Sequence, residues 1–168
     1  VPHDVDGLIE CFGGKEAMIS KFDSLFMVSS EVTGEHKSAD ISGLIGQYAH
    51  GNEPSHHTLY MYALVGEPWK CADKVREVLS TLYFDGEAGL SGNEDAGQMS
   101  AWYIMSALGF YEVEPASARY WFGSPIISEA TLKVPGGEFK IVAENNSDQN
   151  RYIQSVWLNG KEYRKPWI

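Results

Sequence analysis

The chain has 168 residues, of which 43% are hydrophobic and 12% aromatic, a composition typical of a folded domain with its own core. Its formal net charge is -10 and its lysines and arginines are scattered, which argues against a nucleic-acid-binding surface. No apolar run reaches the roughly 20 residues of a membrane helix, and the two cysteines, expected to be buried, are too few for a disulfide framework.

The first two thirds of the chain carry helical periodicity. Helices are predicted over 15–27, 55–65 and 72–83, with a short apolar stripe before them at 8–12 and a further helix after 92. The segments between them, 29–40, 66–70 and 85–92, are predicted to be loops or turns, and 41–50 is ambiguous.

From about residue 115 the apolar period changes to two, which predicts strands. The expected strands are 119–122, 130–134, 139–143, 152–158 and 162–164. Asn159-Gly160 is a typical hairpin turn between the last two. Because helices come first and strands afterwards, we expect an α+β fold with two structural units, 1–112 and 113–168.

The tripeptide Gly-Asn-Glu occurs twice, in GNEPSHHTLYMY from residue 51 and in GNEDAGQMSAWY from residue 92. One predicted helix, a turn and a returning helix separate the two copies, so both should lie at the same end of the helical array. Loops that face each other in this way gather distant side chains into one pocket.

Around this pocket the sequence supplies oxygen-bearing side chains. They are the carboxylates of Glu53, Glu94 and Asp95 and the amides of Asn52, Asn93 and Gln98. Such hard ligands suit Ca²⁺ better than zinc or copper. A pair of carboxylates across a cleft also suits cleavage of a glycosidic bond, with one acting as acid and the other as base.

Helix capping is the alternative interpretation of the same residues. Asp95 stands three residues before Gln98, which is nearly a capping box, and Asn52 or Glu53 precedes the helix-starting Pro54. A cap needs only one side chain, so it does not account for Gln98 or for two consecutive carboxylates. On these residues alone, both interpretations stay open.

His56-His57 does not match a helical zinc site, which uses histidines at positions i and i+4. Neighbouring residues on a helix point about 100° apart, so we expect one imidazole to face the pocket and the other to pack. His50 is equally compatible with core and pocket. The aromatic residues Tyr60, Tyr62, Trp102 and Tyr103 are candidates either for packing against sugar rings or for the core.

The stretches GNEPSHHTLYMY and SGNEDAGQMSAWYIMSALGFY resemble two signature segments of the family 92 glycoside hydrolases, calcium-dependent exo-acting α-mannosidases. VPHDVDGLIECFGG and ARYWFGSPIISEATLKVPGG are also similar to that family, so the resemblance covers nearly the whole chain. It implies that 1–112 forms the last hairpins of an (α/α)₆ catalytic barrel and that 113–168 is a β-rich segment after it. The N-terminal β-sandwich and the first part of the barrel are expected outside this chain.

The resemblance also implies inverting, single-displacement hydrolysis of terminal α-mannosides, most often α-1,2-linked, in mannose-containing glycans. It assigns Asp95 as the general base that activates the water. It places Asn52, Glu53 and Gln98 at the calcium ion, and Glu53, His56, His57, Asn93 and Glu94 at the sugar. Asn93 stands where some members carry Asp, which strengthens the assignment of Asp95.

The family's general acid is a Glu in an E-G-N-x-W-Q type motif, expected just before the segment that opens this chain. We therefore expect these residues, when isolated, to lack the acid, to be inactive and to self-associate through exposed helix faces. A glycan-degrading enzyme of this kind is expected in the periplasm, at the cell surface or secreted, in a bacterium. The rival hypothesis is a non-catalytic carbohydrate-binding or assembly domain on the same helical scaffold.

Overall fold

The computed structural model describes residues 2–34 and 41–168. Within these ranges the α-helices are α1 Val5–Phe12, α2 Lys15–Met27, α3 Thr58–Leu64, α4 Pro68–Thr81 and α5 Gln98–Leu108. The strands form antiparallel hairpins: β1 Leu44–Ile45 with β2 Tyr48–Ala49, β3 Phe110–Glu112 with β4 Tyr120–Phe122, β5 Glu129–Val134 with β6 Gly137–Val142, and β7 Val156–Leu158 with β8 Lys161–Tyr163. The predicted α+β class is confirmed.

The helical predictions are confirmed in number and order, with shifted boundaries. The bounds of α2 are as predicted, but α4 begins at Pro68, because proline is tolerated in the first turn of a helix. The turn predicted over 66–70 is therefore wrong from Pro68 onward. Glu53–Ser55 forms a 3-10 helix, and α3 starts only at Thr58. The ambiguous 41–50 contains the β1–β2 hairpin, and the loop predicted over 29–40 is confirmed up to 34, with 35–40 outside the described residues.

The strand predictions hold best where a turn fixes the pairing. Asn159 and Gly160 both have positive φ, 51° and 76°, as a type I′ turn requires, so the predicted hairpin between β7 and β8 is confirmed. The strand predicted over 152–158 is shorter, because the Tyr152 hydroxyl donates to Asp73 Oδ1 at 2.9 Å and ties that part to α4. β3 escapes prediction, since its residues continue the apolar pattern of α5.

The hydrophobic core lies between α2, α3, α4 and α5. Its fully buried members include Met18, Leu59, Tyr60, Cys71, Val75, Val78 and Trp102. Tyr60, Tyr62 and Trp102 therefore belong to the core and not to a wall that faces sugar, whereas Tyr103 is half-buried. Cys71 is buried as predicted, but Cys11 is exposed, which contradicts the expectation for that residue. No helix of the described residues is both long and apolar enough to span a bilayer.

Arg76 fastens the β-rich segment to α4. Its Nε donates to Ser124 Oγ at 2.9 Å, and its Nη2 donates to Asn146 Oδ1 at 2.5 Å and to the Pro125 carbonyl. Val113, at the start of the segment, is 1% exposed and belongs to the same core as the helices. The two parts of the chain thus share packing, and the division between 112 and 113 stays a prediction.

Candidate active site

The two Gly-Asn-Glu loops meet, as their spacing predicts. A Cβ atom added to Gly92 would stand 2.9 Å from the carbonyl oxygen of Gly51, and one added to Gly51 would stand 3.1 Å from that of Ser91. Gly92 also has a φ of 78°, a backbone conformation that favours glycine. The glycine of each copy therefore permits a close approach that would place any larger side chain against the other loop.

A cleft of about 300 Å³ opens beside the first loop. Glu53, His56, His57, Tyr111 and Glu112 are among the residues that line it. The Oε1 atom of Glu53 is buried and has no hydrogen-bond partner among the described residues. Buried polar atoms are nearly always hydrogen-bonded, so the free carboxylate oxygen of Glu53 is a candidate for binding a ligand that enters the cleft.

Gln98 connects the second loop to this cleft. Its Nε2 donates to the Tyr111 hydroxyl at 3.0 Å and to His56 Nδ1 at 3.1 Å. Both acceptors line the cleft, so Gln98 is one hydrogen bond away from it, but Gln98 itself is not among the lining residues, and neither are Asn93, Glu94 and Asp95. The side-chain oxygen of Gln98 accepts no hydrogen bond from the described part of the chain.

The adjacent histidines both line the cleft but differ in burial, so the predicted division into one packed and one pocket-facing imidazole holds only in part. His56 is 1% exposed and its Nε2 donates to the carbonyl of His50 at 3.0 Å, whereas His57 is half-buried at the cleft. Burial lowers the pKa of His56 to about 4, and burial also lowers the pKa of His57. Both rings are therefore neutral near pH 7, and His56 has no ring nitrogen free for a sugar.

Beneath the cleft, His50 forms a buried hydrogen-bonded network. The Tyr48 hydroxyl donates to His50 Nδ1 at 2.8 Å, and His50 Nε2 donates to the Tyr83 hydroxyl at 2.7 Å. Tyr83 in turn donates to the carbonyl of Met99 at 3.2 Å. Burial lowers the pKa of His50 to about 3. His50, which the sequence leaves open, is thus a core residue that links β2 to α5.

Acid is expected to destabilise the fold through His50 and His56. In the unfolded chain each takes up a proton near pH 6.5, whereas the folded pKa values are about 3 and about 4. The unfolded state therefore binds more protons below pH 6.5, and the free energy of unfolding falls as the pH drops, by up to ~1.4 kcal/mol per pH unit for each histidine. Urea unfolding between pH 7 and pH 4 measures this slope.

Substitution of His50 by Gln distinguishes the contribution of this histidine to the pH dependence of unfolding from that of the carboxylates, which also titrate in acid. His50→Gln should reduce the slope of the free energy of unfolding between pH 6.5 and pH 4 by up to ~1.4 kcal/mol per pH unit, the share of one histidine, even though the variant is less stable at neutral pH. His3→Gln, at an exposed position, serves as the matched control. The same slope in His50→Gln and in the wild type would contradict the assignment.

The second loop ties down Glu94 and leaves Asp95 free. The Glu94 carboxylate accepts hydrogen bonds from the N–H and the hydroxyl of Ser100, both at 2.9 Å, so Glu94 caps α5 from outside its N-cap residue, Gly97, by satisfying a free N–H of the first turn. The Asp95 side chain is exposed and makes no hydrogen bond or ion pair with the described residues. Asp95 and Ala96 have φ values of 45° and 57°, which cost about 1 kcal/mol or more outside glycine. Capping by Asp95 is therefore wrong, and the cap is Glu94.

The residues predicted to hold calcium have the right donor chemistry. Asn52 is exposed and its side chain makes no capping hydrogen bond, and the free oxygens of Glu53 and Gln98 are described above. Calcium takes roughly six to eight oxygen ligands, so water, sugar or other parts of the protein must supply the rest. The described residues contain no group of three or more His, Cys, Asp or Glu that could hold a metal, and two of the three predicted ligands, Asn52 and Gln98, are amides.

Tyr111 is a cleft residue that sequence reasoning misses. It lies in β3, directly after α5, and its hydroxyl accepts from Gln98. The one signal available is its place at the end of the second signature stretch. Asn93, in contrast, is exposed and does not line the cleft, so its contact with sugar stays a prediction.

Residues 1–168 match the family model described as the glycosyl hydrolase family 92 catalytic domain. The chain belongs to glycosyl hydrolase family 92. It is 41% identical to the family GH92 alpha-mannosidase BT3965 from Bacteroides thetaiotaomicron, covering 99% of this chain and 22% of that one with a TM-score of 0.87. The structure of BT3965 in complex with mannoimidazole gives a TM-score of 0.90 at the same identity and coverage.

Two further proteins are similar to this chain over its whole length. The inverting mannosidase BT2199 from Bacteroides thetaiotaomicron VPI-5482 is 38% identical, covering 100% of this chain and 24% of that one with a TM-score of 0.81. An uncharacterized secreted glycosidase from Arthroderma benhamiae is 30% identical over 172 residues, which are 100% of this chain and 20% of that protein. The chain thus spans about a fifth of the length of this curated relative. The α+β fold with helical hairpins of an (α/α)₆ barrel, implied by the resemblance, agrees with the family 92 structures.

Proposed function

We propose that this chain supplies the general base and part of the sugar-binding site of an inverting α-mannosidase. The enzyme removes terminal mannose, most often α-1,2-linked. The observation that supports this most directly is the contact between Gly51 and Gly92, which joins the loop of Glu53 to the loop of Asp95. Family 92 membership supports the reaction class. The similar α-mannosidases, one of them in complex with mannoimidazole, support mannose-containing glycans as substrate.

Asp95 acts as the general base in this proposal. Its exposed carboxylate has no structural partner among the described residues, so it is free to take a proton from the water that attacks the anomeric carbon. Inversion needs an acid roughly 6.5–9.5 Å from the base, on the other side of the scissile bond. The resemblance assigns that acid to a segment outside these residues, and the 168 residues alone are therefore expected not to hydrolyse mannosides.

Free side chains of the two loops bind and orient the sugar in this proposal. Glu53 offers a free carboxylate oxygen and His57 a neutral imidazole in the cleft, and Asn93 offers an exposed amide outside the cleft lining. His56 and Glu94 are engaged within the chain, so they shape the site instead of contacting mannose. Asn52, Glu53 and Gln98 would hold calcium, which when bound supplies positive charge for the sugar hydroxyls.

The compartment belongs to the same proposal. The relative from Arthroderma benhamiae is described as secreted, and a glycan-degrading enzyme meets its substrate outside the cytoplasm. We infer a periplasmic, cell-surface or secreted bacterial protein.

Self-association of the 168 residues when isolated is a separate part of the proposal. Exposed apolar side chains such as Met27 at 81%, Trp157 at 66% and Phe84 at 63% support it.

Calcium removal should strongly slow mannose release by the native-length protein. Treatment with EGTA is expected to lower the rate on α-1,2-mannobiose by ~100-fold or more, because the loss of several kcal/mol of charge stabilisation slows the reaction by that factor. Added calcium should restore the rate. Proton NMR of the first product should show β-mannose, the inverted anomer.

Two outcomes would overturn the proposal. Mannose first released as the α anomer would exclude inversion, and a rate insensitive both to chelation and to Asp95→Asn would exclude the mechanism. Binding of mannose without any hydrolysis by the native-length protein would favour the rival carbohydrate-binding domain.

A further inference from the structure

His56 is a buried polar side chain whose two ring nitrogens are both engaged inside the protein. Nε2 lies 3.0 Å from the carbonyl oxygen of His50, and Nδ1 lies 3.1 Å from Gln98 Nε2. We propose that His56 is a positioning residue, which fixes the side-chain amide of Gln98 so that its oxygen, and not its NH₂ group, is available to calcium. This inference rests on the proposed function, in which Gln98 is a calcium ligand.

The carbonyl of His50 determines which nitrogen of His56 carries the hydrogen. A carbonyl oxygen only accepts hydrogen bonds, so the nitrogen next to it, Nε2, must be the donor. In a neutral imidazole the other nitrogen is then an acceptor. His56 Nδ1 therefore directs a lone pair at the amide of Gln98.

That lone pair selects one of the two orientations of the Gln98 amide. The oxygen and NH₂ ends of a glutamine have nearly the same shape, so their hydrogen-bond partners decide which end points where. The two N–H bonds of Gln98 are directed at His56 Nδ1 and at the Tyr111 hydroxyl, 3.1 Å and 3.0 Å away. Turning the amide over would set oxygen lone pairs against the lone pair of Nδ1. The oxygen is thus turned away from both acceptors and left free for a cation.

The packing around His56 is buried and holds the ring in place. The Trp102 Nε1 donates to the carbonyl of His56 at 3.2 Å, and the ring of His50 stacks on that of His56 with centroids 4.6 Å apart. His56 itself is 1% exposed. Residues that orient a metal ligand in this way typically contribute about 10–100-fold to metal affinity.

The test compares His56→Leu with His56→Asn in the native-length protein, with calcium binding measured by calorimetry. Asparagine places its side-chain oxygen near the position of Nδ1 and can still accept from Gln98, whereas leucine cannot. We expect His56→Leu to weaken calcium binding by about 10–100-fold, and His56→Asn to recover most of that loss. Tyr60→Phe is the matched control, because it removes only a buried hydroxyl that donates to Ser106 and keeps the ring that packs against Tyr111, with centroids 5.4 Å apart.

Equal calcium affinity in the Leu and Asn variants, or in His56→Leu and Tyr60→Phe, would overturn the inference. A second measurement uses ¹⁵N spectra of histidine-labelled protein, in which His56 should be neutral with its hydrogen on Nε2. A hydrogen on Nδ1 would overturn the inference whatever the variants do. If the wild type binds no calcium, the proposed calcium site fails, and the tautomer of His56 still decides whether this ring orients Gln98.

Discussion

Replacement of Asp95 by Asn is expected to slow mannose release by the native-length protein by about 10²–10⁴-fold, the usual contribution of a general base. The Asp95 carboxylate makes no hydrogen bond with the described residues, and α5 is capped by Glu94 through Ser100. The substitution therefore removes a base without removing a cap. Asparagine also tolerates the left-handed backbone of this position, where φ is 45°, so the fold should be preserved.

The rate at saturating substrate and the urea unfolding curve, measured on the same preparation, separate chemistry from stability. Asp85→Asn is the matched control, because Asp85 is an exposed aspartate in the neighbouring Gly-rich loop, and it should retain the wild-type rate. An unchanged rate in Asp95→Asn would exclude Asp95 as the base. If the Asp95→Asn variant is slow and also has a lower free energy of unfolding in urea than the wild type, Asp95 has a structural role instead.

Local patterns in the sequence are sufficient to predict the number and order of the helices, the bounds of α2 and the meeting of the two loops. The apolar spacing of 15–27 sets the bounds of α2, since burial of one helix face needs that period. The two glycine loops face each other because a helix, a turn and a returning helix bring the chain back to the same end. Asn159-Gly160 likewise fixes a hairpin, because both residues adopt positive φ readily.

Features that depend on contacts distant in sequence could not be predicted in this way. Whether Asp95 or Glu94 caps α5 is decided by the left-handed turn at Asp95, Ala96 and Gly97, which leaves Glu94 facing Ser100. The burial of His50 depends on Tyr48 and Tyr83, and the second of these lies 33 residues away. The hydrophobic periodicity of a sequence contains no information about contacts between such distant residues. The spacing of the two loops and their oxygen-bearing side chains indicate the candidate site, the motif resemblance assigns roles to its residues, and the hydrogen bonds between them are visible only in the structure.

The contact between the loops leads to the second large effect, which is expected for Gly92→Ala. The new Cβ would stand 2.9 Å from the carbonyl oxygen of Gly51 and 3.0 Å from Ser42 Oγ, on a backbone with a φ of 78°. The left-handed backbone and the overpacking together should lower the free energy of unfolding by about 2–5 kcal/mol. Urea unfolding measures this loss.

Gly136→Ala separates these two causes. Gly136 has a similar φ of 87°, but a Cβ there would meet no heavy atom within 4 Å, so only the backbone strain of about 1–2 kcal/mol should remain. Equal losses of stability in Gly92→Ala and Gly136→Ala would contradict the close approach of the loops.

The same substitution should affect activity. Relief of the overlap at Gly92 must move the loop of Asp95 away from the loop of Glu53. A displacement of about 1 Å at a reacting group slows catalysis by about 100-fold, so Gly92→Ala should also lose far more activity than Gly136→Ala.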